Sequence, residues 1–278
     1  MKKILISAIA CFCATLVFAQ VKMSAPSPTE FIRQDFGLGS IELTYSRPGV
    51  KGREMIGKIE PWGSIWRTGA NAATKIRFTD EVEIGGKKID SGSYAVYTIP
   101  NKDGNWIFIL NKGFNNEGTS GYKESDDVLR LPVKSGKNLR KVETLTMQFS
   151  DIKPESCILN IKWEDFSLQV PIKTEIRNRI RQSLEEALKS EKKPYWQAAN
   201  FYYEYDHNYP KALEMANAAL AAQKNPPYFM IYYKARIQKD AGDKKGALES
   251  ATKAYELAKA ANNENYMIMS ENMIRELK

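Results

Sequence analysis

The periodicity of apolar residues changes once along this chain, at about Lys173, and that change restricts the fold to two parts of different kind. From Glu30 to Ile172 apolar and polar residues alternate. Ile41, Leu43 and Tyr45 enclose Glu42 and Thr44, for example, which predicts a strand buried on one face. Phe31–Phe36 and Ile41–Tyr45 flank Gly37-Leu38-Gly39-Ser40 and read as a hairpin. Gly85-Gly86 joins Val82–Ile84 to Lys87–Ile89 as a two-residue hairpin. Lys75–Thr79, Tyr94–Ile99, Trp106–Leu110, Val128–Val133, Thr144–Phe149, Cys157–Trp163 and Phe166–Ile172 complete the set. Short strands with frequent turns and no helical period between them predict an antiparallel β-sandwich or barrel over residues 20–173. Trp66, Trp106 and Trp163 are expected to fill its core rather than stack on a ligand. Two long connections interrupt the meander, Arg47–Trp66 and Asn111–Asp127, and both are placed to border one surface.

Beyond Lys173 the period is helical. Thr174 is placed to cap a helix carrying Ile176, Ile180, Leu184 and Leu188 at four-residue steps, and Pro194 opens another. Asn208–Glu214 then aligns with Asp243–Glu249, and Ala216 and Ala219 align with Ala251 and Ala254. Small residues at these steps let paired helices approach closely. A repeat of this length resembles the tetratricopeptide family over roughly Pro194–Lys259, with Trp196, Tyr203 and Ala212 also fitting its first-repeat pattern. Lys234 and Gln238 depart from that pattern at usually apolar positions, and Asn265–Leu277 reads as a closing helix. The expected architecture is therefore α+β in two parts, strands first and helical hairpin repeats over residues 174–278.

The amino terminus reads as an address. Lys2 and Lys3 precede an apolar run from Ile4 to Phe18, and Ala19 stands before Gln20. This is the pattern of a secretory signal peptide over residues 1–19, too short to span a bilayer. The mature chain is expected to be periplasmic or secreted, without a membrane span. Attachment of lipid at Cys11 would leave only Ile4–Ala10 as apolar region, so it is set aside. Without Lys2 and Lys3 the formal charge of +8 falls, leaving each part near +3 with the excess spread out. Nucleic-acid binders concentrate such charge on one face, so no nucleic-acid partner is expected. Cleavage also leaves Cys157 as the sole cysteine, in a strand-like run that favours a buried thiol. His207 is the only histidine. Serine–histidine hydrolysis and histidine-rich metal sites are therefore poor fits, and no cofactor or metal set is read from the sequence.

The chemistry is densest in Ile65–Thr74, where Trp66, Arg67, Thr68, Gly69 and Asn71 stand together between strands. Arg67 supplies a rigid fork of donors and Asn71 both a donor and an acceptor. Together with Tyr45–Arg53 and Pro61-Trp62-Gly63, and with Gly92–Tyr94, Tyr97–Pro100 and Asp127–Arg130, this stretch resembles a family of exported bacterial proteins known only as domain of unknown function 2911. The likeness spans about Ser27–Lys173. It implies export and a helical tail and brings no reaction with it.

Three readings follow. In the first, the chain is a binding module in which Arg47, Lys51, Arg53, Trp62, Trp66, Arg67 and Asn71 meet an anionic or carbohydrate ligand, because arginine forks suit carboxylates and indoles cover sugar faces. Its structural counterpart has Arg67 and Asn71 pinning the connection from within, with Arg47 and Arg53 the more open pair. In the second, paired carboxylates such as Glu54, Glu60 and Asp127 make a glycan hydrolase, although no spacing singles out a pair. The third has the helical repeats grip a protein partner. No catalytic residue is assigned.

Overall fold

The computed structural model describes residues 23–278, so the expected signal peptide lies outside the described residues. The strands in chain order are β1 (Thr29–Phe36), β2 (Gly39–Ser46), β3 (Thr74–Phe78), β4 (Val82–Ile84), β5 (Lys87–Ile89), β6 (Gly92–Ile99), β7 (Asn105–Asn111), β8 (Asp127–Lys134), β9 (Gly136–Lys153) and β10 (Ser156–Lys173). Six form one antiparallel sheet in the order β1-β2-β3-β6-β7-β8, and four form a second in the order β5-β4-β10-β9. Both sheets are open, so of the two expected forms the chain takes the sandwich and not the barrel.

Alternation decides which side of each strand is buried. Ile41, Leu43, Ile76, Phe78, Val96, Phe108 and Leu110 face inward from the first sheet. They meet Leu145, Met147, Leu159, Ile161, Leu168 and Val170 of the second in one continuous core. Trp66 stacks on Trp163 at the end of this core, with ring centroids 5.4 Å apart. The β4–β5 turn has positive φ at both Gly85 and Gly86, a conformation that glycine enters freely and that matches the twist of the paired strands.

The long hairpin of the second sheet differs from the sequence expectation. Cys157–Trp163 and Phe166–Ile172 are continuous within β10, which bends at Glu164, where φ is +48°. The bend is sharp enough for the Gln169 amide to donate to Asn160 Oδ1 at 3.2 Å. β9 starts earlier than its apolar pattern indicates. Lys137 pairs with Phe166 and Val142 with Glu164, so the residues between them are surplus to the ladder and pass around the bend.

Six helices follow among the described residues: α1 (Arg177–Ala187), α2 (Tyr195–Glu204), α3 (Tyr209–Ala221), α4 (Tyr228–Asp240), α5 (Lys244–Ala260) and α6 (Glu264–Leu277). Thr174 does not cap α1; its hydroxyl donates to the Glu81 carbonyl and ties the chain back to the sandwich. Arg179 pairs with Asp80 at 2.9 Å beside it. The aligned repeat residues do cap. Asn208 accepts from Lys211 N–H, Asp243 from Gly246 N–H, and Asn263 repeats the device on Tyr266 N–H. Ala212, Ala216, Ala247, Ala251 and Ala254 are fully buried between the paired helices. Gln238, out of place in the apolar pattern, is buried with its amide donating to Asp243 and its carbonyl accepting from Ser250. None of the described helices is long and apolar enough to cross a membrane.

Candidate functional site

The seven residues singled out in the sequence fall in three places. Arg47 leaves the end of β2 toward β9. Its Nε donates to the Leu145 carbonyl at 3.1 Å, one Nη to Glu30 at 3.2 Å, and the other to Thr146 Oγ1 at 3.1 Å. Close by, the Lys51 N–H is bound by Glu143, and Arg53 closes its own turn on the Val50 and Gly49 carbonyls. Trp62 and Trp66 go to the core. Trp66 is 2% exposed and donates to the Gly69 carbonyl, while Trp62 packs edge-on against Phe166 and Trp106.

Arg67 and Asn71 stand apart from these, over the outer face of the six-stranded sheet. Among the described residues the Arg67 guanidinium makes one hydrogen bond, from Nη1 to the Asn71 carbonyl at 2.9 Å. Asn71 donates to Ser46 Oγ. The connection is held by its backbone: Trp66 and Thr98 exchange both N–H···O bonds, and Thr74 Oγ1 donates to the Thr68 carbonyl at 2.7 Å.

The two long connections do meet. Ala73 N–H donates to the Asn116 carbonyl, and Gly118 lies so close to Arg67 that an added Cβ would fall 2.5 Å from Nη1. Beneath them the Tyr97 hydroxyl donates to the Gly118 carbonyl and accepts from the Asn116 amide. Tyr122 donates to Asp127, whose carboxylate also takes Asn111 and Arg130. Burial and this bond push the Tyr122 hydroxyl up to about 12. Asp127 is thus fully engaged, and Glu54 pairs with Lys58 at 2.9 Å. Glu60 is half-buried near Arg67. Burial raises its pKa, and the guanidinium opposes that rise without cancelling it.

Beside the two connections the outer sheet face is open. Strand register sets its rows: Phe31, Thr44, Lys75 and Ala95 lie side by side across four strands, and Arg33, Glu42, Arg77 and Ser93 make the next row. Phe31, Thr44 and Lys75 of the first row, Glu42, Arg77 and Ser93 of the second, and Phe114 of the second connection border a groove of about 290 Å³. Phe31 is 61% exposed, and Lys75 Nζ lies 4.8 Å from the centre of the Phe114 ring. Among the described residues Arg77 has a single long salt bridge, 3.5 Å to Glu42. Lys75 has no salt bridge among the described residues, so both cations retain donors for a ligand.

Sequence reasoning missed this set. The available signal was an aromatic at an outward position of β1 and two cations at the outward positions of β3. Their convergence depends on a strand order that no local pattern gives.

No curated protein matches the chain, and no solved structure does. A family model does match, over residues 27–172, a span that takes in both sheets almost to the last residue of β10. The chain belongs to that family, described as protein of unknown function (DUF2911).

Proposed function

We propose that the two-sheet part is a binding module whose outer sheet face receives an acidic carbohydrate. The observation that carries this reading is the exposed Phe31 ring in one row with Lys75, beside Arg77 in the next. A ring face offers contact to the apolar side of a sugar, and the two cations reach a carboxylate on the same residue. Thr44 and Ser93 add hydroxyls within the groove. Arg67 and Asn71 frame the neighbouring loop; the ligand class proposed is the one expected from the sequence, and the residues proposed to line its groove are different ones.

Affinity electrophoresis through polygalacturonate, with dextran as the neutral control, tests the reading. The wild type is expected to be retarded by polygalacturonate alone. Lys75→Ala with Arg77→Ala removes two charge-assisted contacts, each worth about 1.5–3 kcal/mol, and is expected to weaken binding at least tenfold. Phe31→Ala is expected to weaken it by a smaller factor. Equal retardation of wild type and both variants would overturn the proposal.

A further inference from the structure

A second surface, on the four-stranded sheet, combines charge and apolar exposure without using the groove above. Residues 138–141 pass around the bend of β10 as surplus to the β9–β10 ladder. The excursion is anchored, since Asn138 Nδ2 donates to both the Glu164 and Phe166 carbonyls at 3.0 and 2.8 Å. At the tip Leu139 is fully exposed, more so than any other large apolar residue described. Lys137, Arg140 and Lys162 border a cavity of about 330 Å³ beside it, together with Asn160, Ser167 and Gln169, and among the described residues no carboxylate lines it.

The nearby acids are mostly committed elsewhere. Glu164 is turned inward onto the Met55 and Ile56 N–H groups with Lys141 at 3.8 Å, and Glu143 holds the Lys51 N–H. Asp165 alone stays exposed at the bend. Lys137, Arg140 and Lys162 have no salt bridge among the described residues. A cationic pocket with an apolar finger at its lip is complementary to an anionic phosphodiester attached to a hydrocarbon chain, and less so to a free anion, which has no use for Leu139.

We infer that this surface docks on a membrane containing anionic phospholipid, with Lys137, Arg140 and Lys162 around a headgroup phosphate and Leu139 entering the acyl boundary. The test is co-sedimentation with vesicles of phosphatidylcholine, with and without one-quarter phosphatidylglycerol. The full chain and the chain from Gln20 onward are measured side by side, so that binding by the apolar run Ile4–Phe18 is separated from binding by the sheet. Anionic vesicles are expected to bind both forms, in a salt-sensitive manner, and neutral ones to bind the shorter form weakly.

Each cation near such a surface is worth about fivefold, so Lys137→Ala, Arg140→Ala and Lys162→Ala combined are expected to lose on the order of a hundredfold. Leu139→Ser is expected to lose about fivefold. All four side chains lie at the surface, and unchanged melting curves would show that the variants fold. Absence of binding to anionic vesicles by the shorter form overturns the inference, as does binding that neither variant weakens. Competition by soluble glycerol phosphate with no effect of Leu139→Ser would also overturn it, because the site would then hold a free anion.

Discussion

Arg47 and Arg67 differ in how the fold uses them, and lysine substitution separates the two. In Arg47→Lys the charge stays but the fork is lost, so one ammonium cannot replace three donors aimed at Leu145, Glu30 and Thr146. The Leu145 carbonyl belongs to a fully buried residue, and leaving it unpaired costs about 1–3 kcal/mol. The Arg47–Glu30 pair is about one-third exposed on both sides, so its loss adds only about 0.2–1 kcal/mol. The expected total is about 1–4 kcal/mol, a fall in melting temperature of roughly 2–16 °C at about 2–4 °C per kcal/mol for a chain of this size. Arg67→Lys loses at most one bond at the surface, to the Asn71 carbonyl, and is expected to cost less than about 0.5 kcal/mol. Urea melts of both variants, fitted with a common slope, give the comparison. An Arg67→Lys loss equal to or larger than that of Arg47→Lys would refute the assignment of Arg47 as the clamp between the sheets.

Three further outcomes are expected. The raised pKa of Glu60 means that the folded state holds its proton more tightly than the unfolded chain does. Its contribution is present below the ordinary glutamate range and is lost as pH rises through the raised value. Glu60→Gln should therefore gain stability relative to wild type between about pH 4 and pH 7 in thermal melts; a relative loss would mean that Arg67 outweighs burial. Cys157 is 1% exposed and burial pushes its thiol up to about 11. In the chain from Gln20 onward it should react with a thiol reagent only as fast as the protein unfolds, and quicker labelling would contradict its burial. Residues 20–173 are proposed to fold alone, since the sandwich core includes nothing beyond Ile172. A cooperative melt with a sheet-type circular dichroism spectrum is expected, and an aggregated product would mean that α1 completes the fold.

What the sequence disclosed was local. Ile41, Leu43 and Tyr45 marked a buried face, Gly85-Gly86 marked a hairpin, and the aligned runs Asn208–Glu214 and Asp243–Glu249 marked a repeated helical unit, because each signal lies in a short run of neighbouring residues. The clamp on Arg47 was illegible for the opposite reason: its partners on β9 lie nearly a hundred residues downstream. By composition alone the glycine- and proline-containing stretch around Arg47 reads as open. The groove likewise depends on β3 pairing with β6 past the intervening β4–β5 hairpin, which brings Ser93 beside Arg77. The start of β9 was missed because residues wrapping a bend need not alternate.

The position of β1 carries a mechanical consequence. It lies at an edge, bonded only to β2, with Thr29 at the end of the pair remote from the Gly37–Leu38 turn. Tension applied at the amino end therefore loads the pair like a zip, one ladder bond at a time. The opposite end differs in its neighbours: β10 lies inside its sheet, paired with β4 at Ile172 and Lys173 and with β9 from Ser167 back to Ser156, so drawing it out breaks bonds to two strands in turn. A chain drawn through a narrow pore from its amino end should first lose one edge strand and leave the rest of the first sheet paired, whereas the same chain drawn from its carboxyl end, once the helices had given way, should split the second sheet between β4 and β9.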